Sequence, residues 1–160
     1  MTRLLLTLLL TGFMASSVHA ERSQISADSA EFSGQTGVMI FKGTVELRQE
    51  ANDVLIQADE MTVKREDEKL SSISASGRPV RFQHKGDSGQ IHGKANKLSY
   101  DARNEVVLLR GGAEFFDGND SLKGEEIIYK LRTKEARANG DKQNGSRFEM
   151  VIQPQPGKQP

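Results

Sequence analysis

The residues of this chain that could do chemistry are few and poorly placed for it. Outside the first 20 residues there are two histidines, His84 and His92, on either side of the turn formed by Gly86, Asp87, Ser88 and Gly89. A histidine pair could serve acid–base or metal chemistry, but at this spacing the pair reads as solvated loop side chains. The run Glu66, Asp67, Glu68 reads as a solvated loop tip. Gly111 and Gly112 lack the lysine and helix of a phosphate-binding loop, and no serine sits in a nucleophile elbow. The expectation is a non-enzyme with no catalytic residues, no metal site and no cofactor.

What remains is apolar surface. Seven Phe and two Tyr are present, and Phe32, Phe82, Tyr100, Phe115 and Tyr129 fall at or beside the positions of a faint internal repeat. An ordinary packed core and an apolar, ligand-facing lining both demand a dry interior face, so periodicity leaves both open and by itself favours the core.

The repeat has four copies, beginning Ile25-Ala27-Ala30-Phe32, Ile56-Ala58-Met61-Val63, Gly93-Ala95-Leu98-Tyr100 and Leu122-Gly124-Ile127-Tyr129. Each copy steps by two, three and two residues, and each is followed by a glycine: Gly43, Gly77, Gly111 and Gly140. The small-residue-to-glycine spacing is 16, 19, 16 and 16. A fixed period means one supersecondary unit stacked on copies of itself, because a single unit cannot bury its apolar face alone. Steps of two are those of a strand. The step of three predicts a bulge or bend in every copy, with a small residue at the corner. The glycines are then expected to supply positive φ or a close contact.

Short alternations such as Val45-x-Leu47, Val54-x-Ile56, Val80-x-Phe82, Ile127-x-Tyr129 and Phe148-x-Met150 are separated by Gly, Asn, Asp and Ser clusters. This is an all-β signature, and no helix is expected after residue 20. The charged stretch from Asp59 to Ser71 is the one helical rival, and the repeat makes it a strand and a longer loop around 65–69. Pro79 predicts an edge or bulge position.

Residues 1–20 read as a cleaved signal peptide: Arg3, an apolar run from Leu4 to Ala15, then Val18, His19 and Ala20. The run is too short to span a bilayer, which takes about 20 apolar residues. An exported protein without cysteine uses no disulfides and no lipid-bearing Cys. The chain holds 22 basic and 22 acidic residues, and removing Arg3 leaves 21 against 22, a net charge of −1. That balance argues against nucleic acid. One domain is expected over 21–152, with a disordered Gln/Pro-rich tail at 153–160.

Several segments carry a resemblance to a known family. They are Gly77-Arg-Pro79-Val80-Arg-Phe82, Gly93 to Tyr100, Val106 to Phe115, and Lys123 to Tyr129. In order, and together with the signal peptide and length, they resemble the OstA-like domain family of lipopolysaccharide transport, from about Ile25 to Val151. The resemblance implies an open, twisted, antiparallel β-jellyroll whose apolar interior groove binds lipopolysaccharide. It implies a periplasmic location, head-to-tail homo-oligomers, and a bridge with inner-membrane-anchored and outer-membrane partners that share the domain. Larger members carry a barrel or an anchor. Neither is found in this sequence, which implies the free periplasmic member. The groove residues implied are Ile25, Phe32, Ile56, Val63, Val80, Phe82, Leu98, Tyr100, Val106, Leu108, Phe115 and Tyr129. From Val106 to Leu109 apolar residues occupy both parities. The competing expectation is a ligand-free periplasmic scaffold with a closed, filled core.

Overall fold

A computed structural model describes residues 23–50, 53–86, 89–118, 120–141 and 144–152. The signal-peptide and tail expectations lie outside these residues. The described chain is all strand and turn: β1 (Ser23–Ser26), β2 (Ser29–Ser33), β3 (Val38–Gln49), β4 (Val54–Glu66), β5 (Lys69–Gly86), β6 (Gly89–Asp101), β7 (Val106–Asp117), β8 (Asp120–Lys130), β9 (Glu135–Asn139) and β10 (Glu149–Val151). The strands form one 10-stranded antiparallel sheet in which β3 to β8 are consecutive neighbours. The sheet does not close, because β1 and β2 border only β3 while β9 and β10 border only β8.

Each long strand bends once. Register shifts fall at Lys42/Val45, Gln57/Glu60, Ser76/Val80, Lys94/Lys97 and Arg110/Ala113. On β4 and β6 these are the steps of three in the repeat, and the gap between β1 and β2 holds the same step. The bends line up and fold the sheet along a corner into two half-sheets. One runs from β2 to β9, the other from β1 to β10.

The corner explains the small residues and the glycines. Ala58, Ala95 and Ala113 are buried there. Gly111 adopts φ 82°, and a Cβ on it would lie 2.9 Å from the Asn96 side chain. Gly43 holds the same place beside Asp28, at φ 76°. Gly77 and Gly140 have no positive φ. They are enclosed by backbone, so their role is close approach. Pro79, after a cis bond, sits in the bulge of β5.

The longer second unit differs from expectation. No long loop is formed near 65–69. Asp67 and Glu68, at φ 49° and 62°, make a tight turn, and Glu66 pairs with Lys69. Both φ values are positive, as the two-residue turns matching strand twist require. The extra residues lengthen β4 and β5, and Ser71 is taken up as a bulge between Lys64 and Arg65 pairings.

The core is a single layer of side chains between the half-sheets, with Met61, Leu98, Leu109, Ile127, Val45 and Val80 the largest of the fully buried side chains. No polar or charged residue is buried among the described residues. Outward positions carry polar ladders such as Lys94–Glu114 (3.2 Å) and Arg110–Glu126 (2.7 Å). Such exposed pairs contribute about 1 kcal/mol at most, so the apolar layer holds the fold.

Candidate functional site: the groove between the half-sheets

Strand register fixes which side chains share the inner face. In the β1–β10 half one row runs Ile25, Leu47, Ile56, Phe82, Gly93, Phe115, Leu122, Met150. In the β2–β9 half the facing rows are Phe32, Met39, Val63, Ile73, Tyr100, Val107, Tyr129, Ala136 and Ala30, Phe41, Met61, Ala75, Leu98, Leu109, Ile127, Ala138. A glycine in the first row is what lets a large ring lie flat. A Cβ on Gly93 would fall 2.6 Å from the Phe82 ring. Phe82 and Phe115 then stack at 6.5 Å, and Phe115 meets Tyr129 of the other half at 4.8 Å.

Between these rows runs an apolar cavity of about 360 Å³. Leu47, Val54, Ile56 and Phe82 line it from one half, and Leu70, Ile73, Leu98, Tyr100, Val107, Tyr129 and Leu131 from the other. Gln49, His84 and Glu105 stand at its rim. Burial pushes the Tyr129 hydroxyl's ionisation up; the Asp117 carboxylate adds to this and Lys134 opposes it. Among the described residues that line it there is no Ser, Thr, Cys or Lys. Chemically it offers a dry, hydrocarbon-like trough with a polar lip.

Ten of the twelve residues expected to line a groove lie on the inner face by register. Ile56, Val63, Val80, Phe82, Leu98, Phe115 and Tyr129 are buried, and Ile25 and Tyr100 are half-buried. Phe32 keeps the inner parity, but on the edge strand β2 it is 70% exposed. Val106 and Leu108 do not line the groove. Val106 pairs with Asp101 and Lys130, and Leu108 with Ser99 and Ile128, on the outer face. Val107 and Leu109 take the inner positions, at 7% and 1% exposure. Sequence reasoning missed these two, with Leu47, Ile73 and Leu131. A plain step of two counted back from Phe115, through Ala113 and Gly111, reaches Leu109 and Val107, but the glycine pair at 111 and 112 interrupts the strand, so parity could not be carried across it from sequence alone.

The histidines occupy opposite faces. His84 pairs with Ile91 and faces the slit, while His92 pairs with Gln83 on the outside and stacks on Phe116 at 4.7 Å. Among the described residues no three His, Asp or Glu gather as a metal site.

An unclosed antiparallel sheet, bent along one corner around an apolar slit, defines an open β-jellyroll. The chain belongs to the LptA/LptD N-terminal domain family of lipopolysaccharide (LPS) transport proteins, whose family model matches residues 24–135. The lipopolysaccharide export system protein LptA of Haemophilus influenzae is 30% identical over 121 residues, 73% of this chain and 69% of that protein. LptA of Escherichia coli K12 is 29% identical over 147 residues, covering 90% and 75%. LptH of Pseudomonas aeruginosa is 28% identical over 163 residues, covering 93% and 90%. The crystal structure of that LptH, described as the LptA-homologous periplasmic component of the lipopolysaccharide transport device, matches with a TM-score of 0.74 at 21% identity. It covers 84% of this chain and 96% of that one. At that identity the likeness is one of fold.

Proposed function

We propose that this protein is a periplasmic carrier, not an enzyme, that moves lipopolysaccharide from the inner to the outer membrane by holding its acyl chains in the groove. The observation that carries this reading is the apolar slit between the half-sheets, lined by Phe82 from one half and by Tyr100 and Tyr129 from the other, with Phe115 stacked behind Phe82 and Tyr129. Transfer of hydrocarbon from water to such a surface is favourable by about 0.8 kcal/mol per CH₂, so a trough of this kind can take up acyl chains without covalent chemistry. Membership in a family of lipopolysaccharide transport proteins supports the same ligand.

The two unclosed ends support the assembly part of the reading. β1 and β2 at one end and β9 and β10 at the other each present an unpaired strand edge. Exposed edges are templates for strand addition, and a heterologous head-to-tail contact grows into a filament. Phe32 at one end, and Phe148, Met150, Val151 and Ile152 at the other, are at least half exposed, as apolar contacts awaiting a neighbour would be. The neighbours would be further copies, and inner-membrane-anchored and outer-membrane partners bearing the same domain.

The test is capture in cells. A photo-crosslinking residue at Phe82 or Tyr100 should trap lipopolysaccharide, and one at the exposed Glu66 or Lys69 should not. Equal labelling at both kinds of site would sink the groove assignment. No labelling at either would favour a ligand-free scaffold.

A further inference from the structure

The slit changes character along its length. One register step beyond Phe82, the lip of the β1–β10 half carries His84 paired with Ile91, Ile91 with Asp117, and Asp117 with Asp120. The opposite lip carries Leu70, Leu131 and, in the turn before β9, Lys134. Towards β1 the facing walls are apolar, Leu47 and Val54 against Leu70, with Gln49 and Glu105 at the rim. Towards the C-terminal end a second cavity, of about 130 Å³, brings Asp117 and Asp120 from one half together with Lys134 and Tyr129 from the other. Lys134 stands at φ 57°, in a turn that fixes where its side chain leaves the backbone. Asp117 and Lys134 both act on the Tyr129 hydroxyl, with opposite signs. Charges of opposite sign thus stand on opposite lips, over the same ring.

We propose that Lys134, facing Asp117 and Asp120 across the slit, forms a charged clasp that holds the lips together over Tyr129 and leaves the apolar end as the entrance for acyl chains. This rests on the carrier reading for its ligand, not for its geometry. A hydrocarbon chain threaded between three charged groups would strip their water, which is costly. Between Val54 and Leu70 the walls are apolar, and among the described residues Glu105 is the one carboxylate at the rim. A clasp of this kind is also weakened by salt, because its members sit at the solvent-facing lip.

The experiment uses the protein's own fluorescence. The chain has two tyrosines and no tryptophan, so Tyr100→Phe leaves Tyr129 as the single strong emitter. In that lipid-free protein, acrylamide quenching of Tyr129 is expected to rise severalfold when Lys134→Glu is added. It should fall back when Asp117→Lys and Asp120→Lys are added to Lys134→Glu. High salt should raise quenching in the parent and not in the Lys134→Glu protein. Equal low-salt quenching in parent and Lys134→Glu overturns the clasp. Should Lys134→Glu lose its β circular-dichroism signal, Lys134→Gln replaces it, with a smaller rise expected and no rise overturning the clasp. Uptake of a fluorescent fatty acid by otherwise wild-type protein is measured in parallel. Unchanged uptake in Lys134→Glu despite higher quenching is expected, because the apolar entrance is intact, and faster uptake overturns the assignment of the entrance by showing that chains enter through the clasp end. A wild-type protein that takes up no fatty acid fails the carrier reading, while quenching still decides the clasp.

Discussion

Phe115 and Tyr129 meet across the bent sheet, one ring from each half, with centroids 4.8 Å apart and planes tilted by 39°. Phe115 extends the row of Phe82 on the β1–β10 half, and Tyr129 extends the row of Tyr100 on the β2–β9 half. Their contact ties the two walls of the groove at its C-terminal end. Truncating either ring to Ala should cost about 3–5 kcal/mol, the usual range for a buried aromatic. A double-mutant cycle in urea should give a coupling of about 0.5–1.5 kcal/mol beyond the separate losses. Strict additivity would mean the half-sheets do not pack on each other there.

The facing of β7 is tested by neighbouring substitutions. Val107→Asp buries an unpaired carboxylate beside Tyr100 and Tyr129, and should destabilise by several kcal/mol. Val106→Asp, on the outer face between Asp101 and Lys130, should change stability by about 0.5 kcal/mol or less. Urea midpoints decide it. A reversed order would put Val106 and Leu108 back in the groove.

Glu126 gives the fold a modest acid sensitivity. Its carboxylate accepts from Arg110 Nε at 2.7 Å and Asn139 Nδ2 at 3.2 Å. The Arg110 bond, which outweighs the opposing effect of partial burial, and then the Asn139 bond hold its ionisation below the ordinary 4.5. Folding therefore favours the charged form. That contribution is fully present above the unfolded value and is lost as pH falls through the lowered one. The gap in Tm between wild type and Glu126→Gln should be constant at neutral pH and close below the ordinary 4.5. The effect should be under about 1 kcal/mol, since the pair is largely solvated. A gap that widens in acid would contradict this sign.

Assembly should depend on the C-terminal edge. β10 pairs with β8 through only three residues, Glu149 to Val151, and its apolar side chains are exposed. Wild-type protein should form concentration-dependent oligomers by light scattering, without a preferred closed dimer. Deleting residues 148–160 should leave a folded monomer that still takes up acyl chains. Long oligomers of the truncated protein would rule out strand addition at this edge.

The strands and the corner could be read from the sequence because both are local. A step of two places side chains on one face, and a step of three before a small residue announces the bend that the Gln57/Glu60 and Lys94/Lys97 register shifts display. Gly43 and Gly111 were legible for the same reason, since a positive φ is a demand on a single residue. The facing from Val106 to Leu109 was not legible. Four apolar residues in succession satisfy either parity, and only pairing with Tyr100, Leu98, Tyr129 and Ile127 chooses Val107 and Leu109 for the inside. The exposure of Phe32 is likewise a matter of position. It matches Val63 in its row, but β2 has no strand beyond it. The groove itself belongs to the tertiary structure alone. Ile56 and Tyr100 become opposite walls only when every bend falls on the same line, and no spacing within one strand carries that information.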